Sequence, residues 1–494
     1  MRLIKPILRH WIRHPMRVWV EDDFRKWKGY MLWAASRHLA GAIRAKSNRP
    51  NIGVLLPTGG AFPVALAATW MLGRTIVPLN YLLARRELDY IIDHAELDLV
   101  VTAGPMLEKF GAMPAHIQTI ELDKQKFKGM PPLFRPVQCG DDHNAVILYT
   151  SGTSGMPKGV QLSVGNIAAN VDQCIKWASF TSKDCFLGVL PQFHSFGFTV
   201  TTVLPMVLGC GAVYTARFQM SRVLDLLRRR QPTAFMAIPS MFNALLQSKS
   251  AKVEDLQSLR YLVSGGEPLP DAVYDGFAER FGIQICEGYG LTETAPVTNW
   301  TRPDEERRGV VGRPLDGVEE IIVSPDNGAR LGPDIDGEVR IRGANIMKGY
   351  FKDPDATAAA FDDEGFFCTG DMGRLSEDGF LSITGRIKEM LIIGGENVFP
   401  REIEDVLRRH EAVLDAAVIG VQDPVRGEVP LAFVEIIDDA EVTPDTLRRY
   451  CRGPLPGFKV PREVRILDAL PRNPTGKLQR RALSPETGVE TTSA

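Results

Sequence analysis

The stretch YTSGTSGMPKGV, Tyr149 to Val160, sets the hydroxyl side chains of Thr150, Ser151, Thr153 and Ser154 among Gly152, Gly155 and Gly159, with Lys158 near its end. The run before it, Ala145 to Tyr149, is β-prone, and a glycine-rich turn after a strand aims backbone N–H groups at an anion. The hydroxyls add donors and Lys158 adds charge. A Walker loop, G-x-x-x-x-G-K-[ST], needs Ser or Thr after its lysine; here Gly159 follows and Pro157 precedes. Phosphate binding at a helix N-terminus is therefore disfavoured. Taken alone, the stretch reads as a phosphate cradle or as a Ser/Gly surface turn.

Outward from it the chain alternates. Asn51 to Pro57, Thr75 to Leu79, Leu97 to Ala103, Ala145 to Tyr149, Cys185 to Leu190, Ala212 to Tyr214, Ala234 to Ile238 and Leu259 to Ser264 are short apolar runs. Helical patterns such as Lys26 to Arg44 and Ser221 to Arg230 lie between them. Strands alternating with helices predict an α/β fold, a large domain of parallel sheets wrapped by helices. After Glu287, turn residues become dense, and strands such as Gly337 to Arg342 and Gly379 to Thr384 predict an antiparallel, β-barrel-like subdomain. From about Gly385 a small α+β domain follows. It has helices over Glu402 to Arg409 and Pro444 to Arg452 and strands over Ala416 to Val421 and Leu431 to Ile437. The expected divisions are a basic amphipathic segment (1–17), a large domain (18–385), a hinge (386–390), a small mobile domain (391–483) and a polar, disordered tail (484–494).

A chain of 494 residues can bury several cores without disulfides. Its net charge of -2 argues against nucleic acid as a partner, which asks for a strongly basic surface. The seven cysteines are scattered, never as C-x-x-C, which fits a reducing compartment and no zinc site. Pro and Gly break the apolar stretches Gly53 to Gly73 and Phe193 to Ala216, so neither reads as a membrane span. With no cleavable signal evident, a cytoplasmic protein is expected. Near the start, Leu3, Ile4, Ile7, Leu8, Trp11 and Ile12 recur at helical spacing with Arg2, Lys5, Arg9 and Arg13 between them. Residues 1–15 read equally as a peripheral anchor to anionic lipid or as a helix capping the body.

Further motifs follow in order: PQFHSFGF (Pro191 to Phe198), SGGEPLP (Ser264 to Pro270), EGYGLTET (Glu287 to Thr294), FFCTGD (Phe366 to Asp371), TGRIK (Thr384 to Lys388), GGENVFPREIE (Gly394 to Glu404) and NPTGKLQRR (Asn473 to Arg481). Each has a bland reading by itself. A histidine between phenylalanines is usually a satisfied core residue, and G-G-E-P is an ordinary turn. In this order, over about residues 55–481, they resemble the signature motifs of the adenylate-forming superfamily, which includes acyl-CoA synthetases, peptide-synthetase adenylation domains and luciferases. Ser154 stands where that family often has threonine, and Asn397 where relatives place arginine.

The resemblance implies a reaction in two halves. A carboxylate attacks the α-phosphate of ATP, giving acyl-AMP and pyrophosphate, and a thiol of coenzyme A or of carrier-protein phosphopantetheine then displaces AMP. It implies that Thr150, Ser151, Gly152, Thr153, Ser154, Gly155 and Lys158 grip the β- and γ-phosphates. His194 would border the substrate carboxylate, and Gly265, Gly266 and Glu267 the adenine. Tyr289, beside Gly290, would stack on adenine; Thr292 would meet the α-phosphate. Glu293, with Thr150, would hold Mg2+, whose preference for hard oxygen ligands suits such a pair. Asp371 and Arg386 would hold the ribose, Lys388 would be the hinge, and Gly395 would line the pantetheine tunnel. Lys477 would be the catalytic lysine, bridging the carboxylate and the α-phosphate and swinging away for the second half.

The expected acid is a medium- or long-chain fatty acid, because Phe196 to Met206, Met236 to Phe242 and Ser264 to Pro268 carry few charges. LPQFHSFGF and AIPSMFNALL also look most like long-chain acyl-CoA ligases and acyl-carrier-protein synthetases. A stand-alone adenylating ligase that loads an aryl or amino acid is the alternative. Arg448, Arg449, Arg452 and Lys459 could face an acidic acyl carrier protein, the phosphates of coenzyme A, or only water.

Overall fold

The structure, a computed structural model, describes the chain except residues 126, 128, 151–155, 306, 395, 425–426, 438–439, 473–477 and 489–494. Two sheets with parallel centres form the large domain. One has seven strands, in the order Gly349–Tyr350, Lys158–Ser163, Asn144–Thr150, Thr75–Pro78, Asn51–Leu55, Leu99–Thr102 and Gln118–Glu121. The other has nine, with Cys286–Gly290, Tyr261–Gly265, Ala234–Ala237, Cys185–Gly188, Gly211–Tyr214 and Val18–Glu21 parallel at its centre and antiparallel strands at both edges. Central strands such as Asn51–Leu55 and Ala234–Ala237 are buried at every position, which is why they read as unbroken apolar runs. The helix Ala61–Met71 is apolar all round, and Phe62 through Met71 are buried, as expected of a helix enclosed by other elements.

The expected barrel-like subdomain is a four-stranded antiparallel sheet, Val318–Val323, Gly337–Gly343, Phe367–Leu375 and Leu381–Arg386. Its Ile322, Val339, Ile341 and Leu381 join the main core, so its apolar face covers the large domain instead of closing on itself. The small domain carries its own sheet (Leu391–Ile393, Glu396–Val398, Val413–Asp423, Gly427–Ile436, Glu463–Leu467) with the helices Pro400–Arg408 and Pro444–Cys451. A separate apolar cluster that starts at Leu391 fills it.

Three expectations change at the termini. The helix Ile4–Arg13 buries Ile4, Ile7, Leu8 and Trp11 against the helices Gly29–Lys46 and Leu204–Leu208. Its apolar face is thus spent on the protein's own core, at about 1.5–3 kcal/mol per buried side chain, and the lipid-anchor reading of residues 1–15 gives way to the capping helix. Lys26–Lys28, expected to begin a helix, is a strand paired with Val18–Glu21. The turn between them is fixed by Asp22, whose Oδ1 accepts from the amides of Phe24 (2.9 Å) and Arg25 (2.8 Å), an Asx turn that the helical pattern hides. Residues 484–488, expected in the disordered tail, form a turn in which Arg465 donates to the Thr487 carbonyl at 2.8 Å. No helix of the described residues is long and apolar enough to cross a membrane.

Candidate active site

The two ends of the stretch Tyr149 to Val160 lie on neighbouring strands. Asn144–Thr150 and Lys158–Ser163 pair antiparallel, with Thr150 opposite Lys158 and Tyr149 opposite Gly159. Strand leads to strand, not to a helix, as Pro157 and Gly159 require. Ser151, Gly152, Thr153, Ser154 and Gly155 lie outside the described residues. The Lys158 ammonium sits 5.0 Å from the ring centroid of Tyr350 and 3.8 Å from Asp353 Oδ2. The Tyr350 hydroxyl donates to Glu293 Oε1 at 3.0 Å. Burial raises the Glu293 carboxyl above its ordinary value, with Tyr350 opposing the shift.

The adjoining end is built on two cross-strand partners. Asp371 and Arg386 face each other in the ladder between Phe367–Leu375 and Leu381–Arg386, and Arg386 Nε lies 2.8 Å from Asp371 Oδ1. The hydroxyl of Tyr289 donates to Asp371 Oδ2 at 2.6 Å. Asp371 is 3% exposed, and its charge holds the Arg386 guanidinium above its usual range. Burial and the Asp371 carboxylate raise the Tyr289 hydroxyl well above its ordinary value, so it stays a donor. The three residues named for the nucleoside therefore meet, although they lie far apart in sequence. Gly290 has a packing reason to be glycine, because a Cβ there would lie 2.0 Å from the Pro296 carbonyl.

Thr292 links this end to the histidine motif by donating to Ser195 Oγ at 3.3 Å. His194 caps the short helix Ser195–Phe198, its Nδ1 accepting the Phe196 amide at 3.5 Å, which places the ring proton on Nε2. Phe196 lies over Gly265, where a Cβ would come within 3.1 Å of its ring; Gly265 is glycine so that this contact can form. Gly266 takes a left-handed φ of +86°, and Glu267 follows it in the same turn. The buried Gln192 accepts the Gly59 amide at 2.8 Å and donates to Thr202 at 3.1 Å, tying the motif to the turn after Asn51–Leu55.

Lys388 lies in the short helical turn Ile387–Glu389. Gly395 and Lys477 are outside the described residues. Three residues beyond Lys477, Arg480 binds Glu404 at 2.7 Å and Glu389 at 3.1 Å, so the chain that follows Lys477 is fastened both to the small domain and beside Lys388.

The expected acyl lining divides. Phe198, Val200, Val203, Leu204 and Phe242 are fully buried in the main core, Phe198 against Phe62 and Trp70, and are packing residues. Phe196, Ile238 and Met241 are only partly buried and pack on the edge of that core. In the basic group, Lys459 pairs with Glu402 and Arg448 donates to the Pro461 carbonyl, which leaves Arg449 and Arg452 exposed.

The sequence reading passed over Tyr350, Asp353 and Gln192. Asp353 did carry a signal, the helix-capping pattern Asp-Pro: its Oδ1 accepts the Ala356 amide at 3.0 Å at the start of Pro354–Ala358. Its pairing with Lys158 had none.

Among the described residues no three His, Cys, Asp or Glu side chains gather as a metal cluster. A single half-buried carboxylate, held by one hydroxyl and raised by desolvation, fits a hard cation that completes its shell with phosphate and water oxygens. Glu293 is thus suited to Mg2+ beside a triphosphate.

Residues 8–351 match the model of the AMP-binding enzyme family, and residues 402–477 that of the AMP-binding enzyme C-terminal domain. The sulfoacetate–CoA ligase of Cupriavidus necator is 34% identical over 446 residues, 87% of this chain and 86% of that protein. A long-chain-fatty-acid–CoA ligase of Bacillus subtilis is 35% identical over 348 residues, 69% of this chain. The chain spans 61% of that ligase's length and 62% of that of the B. subtilis protein YngI. MatB from Rhodopseudomonas palustris, in its ATP-bound crystal structure, superposes with a TM-score of 0.89 at 30% identity, over 97% of this chain and 98% of its own. Its apo form gives 0.80. With both family models matched in order across its length, this chain belongs to the AMP-binding enzyme family, the adenylate-forming superfamily.

Proposed function

We propose that this ATP-dependent acid–CoA ligase acts on a medium- or long-chain fatty acid, joining it to coenzyme A through acyl-AMP. The observation that carries the activation step is the convergence of Tyr289 and Arg386 on Asp371, with Glu293, Tyr350 and Lys158 at the adjoining end and Thr292 between. Asp371 and Arg386 hold the ribose hydroxyls, and Lys158 with residues 151–155 holds the β- and γ-phosphates. Bound Mg2+ would neutralise phosphate charge, and Glu293 with Thr150 would hold it. His194, its ring proton on Nε2, donates to the substrate carboxylate and fixes its approach. Lys477 stabilises charge at the α-phosphate, and the small domain then turns about Lys388 to admit the thiol along Gly395.

The partly exposed apolar side chain of Phe196, two residues from His194, and the fatty-acid ligase among the relatives support an apolar acid. The test is AMP release over a panel of short, medium and long fatty acids, aryl acids, sulfoacetate and amino acids, each with coenzyme A or with holo acyl carrier protein. A fatty acid with coenzyme A should give the highest kcat/KM. An advantage of about tenfold or more for sulfoacetate, an aryl acid or an amino acid, a margin that pocket contacts readily supply, would overturn the fatty-acid reading and leave the ligase chemistry standing.

A further inference from the structure

Tyr350 touches both charged side chains at the phosphate end. Its hydroxyl donates to Glu293 Oε1 at 3.0 Å, and its ring takes the Lys158 ammonium at 5.0 Å from the centroid. The backbone around it repeats the arrangement. The Met347 amide donates to the Glu293 carbonyl at 2.8 Å, and the Lys348 and Phe351 amides to the Gln161 and Gly159 carbonyls at 3.0 and 2.7 Å. The segment 347–351 therefore splints the Glu293 turn to the strand that begins with Lys158. A tyrosine that only filled space would need one acceptor and apolar neighbours. This one is half-buried, and its polar end and its π face are each turned to a different ionic group.

We infer that Tyr350 is a positioning residue that holds Glu293 and Lys158 as one grip on the metal–triphosphate moiety of ATP and takes no part in holding the nucleoside. The inference rests on the reading that Glu293 faces the metal and Lys158 the phosphates. The hydroxyl orients a carboxylate that would otherwise sit buried with one donor fewer. The ring keeps the ammonium from folding fully onto Asp353.

Two variants separate the halves. Tyr350→Phe removes the hydroxyl and keeps the ring; Tyr350→Leu removes both. Calorimetric binding of a non-hydrolysable ATP analogue, with Mg2+ and with EDTA, is compared with binding of AMP. Tyr350→Phe should weaken the analogue about tenfold with Mg2+, the effect expected for losing a hydrogen bond to a charged group, and much less with EDTA. Tyr350→Leu should weaken it under both conditions, because Lys158 is released as well. AMP should bind both variants as it binds the wild type. Equal weakening of AMP and analogue would mark a merely structural residue and overturn the inference, as would unchanged analogue binding to Tyr350→Phe. Glu293→Gln separates the two failures. If it abolishes the Mg2+ effect while Tyr350→Phe does not change it, the inference alone fails. If the Mg2+ effect survives Glu293→Gln, the reading of the site fails and the inference with it.

Discussion

Glu404 and Asp371 are both buried carboxylates matched to arginines, and their surroundings differ. Glu404 in the small domain is fully buried and enclosed by its own chain. It accepts from the Val418 amide at 2.8 Å and from Arg480 at 2.9 and 2.7 Å, with Arg408 at 3.7 Å. Asp371 is equally sheltered, but its partner Arg386 keeps 55% of its side chain exposed. The first cluster is the more closed, its arginines 25% and 17% exposed, and it fastens; the second has an open edge at which a ligand hydroxyl can join. The chemistry is the same, and the direction in which the arginine faces separates a strut from a binding group.

Glu404→Leu should show the largest effect. It leaves Arg480 and Arg408 without their shared partner in a buried setting, a loss of about 3–5 kcal/mol, read as an earlier unfolding transition of the small domain in thermal or denaturant melts. Unaltered stability with lost activity would break the comparison, since it would make the closed cluster the functional one. Asp371→Asn should do the reverse. Its kcat/KM for ATP should fall roughly hundredfold, or about 2.7 kcal/mol, while the melting temperature moves by no more than about 2 °C, because the amide keeps the size and the hydrogen bond from Tyr289. A large drop in melting temperature would mean that Asp371 is a strut as well.

The open cluster was legible in the sequence and much around it was not. FFCTGD and TGRIK mark Asp371 and Arg386 as family-like motifs, and their strands bring them face to face one hairpin apart. Parallel strands were legible because burial on both faces erases alternation and leaves plain apolar runs. Tyr350 was not, since its strand is two residues long and its partners, Glu293 and Lys158, are 57 and 192 positions away along the chain. The acyl lining was misread in part for a different reason: an apolar run such as Phe196 to Met206 looks the same whether a side chain stays partly exposed, as Phe196 does, or is sealed in the core, as Phe198 is. Helical periodicity near the N-terminus likewise says that one face is covered without saying by what. Protein, not lipid, covers it.

Glu320 extends the comparison to a buried carboxylate with no arginine at all. It lies on Val318–Val323, where Asn299 donates to its Oε2 at 3.0 Å, and Asn299 is the cross-strand partner of Tyr289. Glu320 Oε1 and Asn299 Oδ1 are buried without hydrogen-bond partners among the described residues. With no cation among the described residues to offset desolvation, burial pushes the carboxyl from 4.5 up to about 8. Between these values the folded protein keeps a proton that the unfolded chain has released, so the group's contribution to stability falls as pH rises from 4.5 to about 8. Glu320→Gln removes that slope, and its amide can also donate to Asn299 Oδ1. The variant should match the wild type near the acid end and exceed it by a margin that widens toward pH 8, measured as melting temperature against pH. A variant less stable at every pH would show that ionised Glu320 is held by a charge not yet identified, and the distinction between carboxylates with and without an arginine would lose its third case.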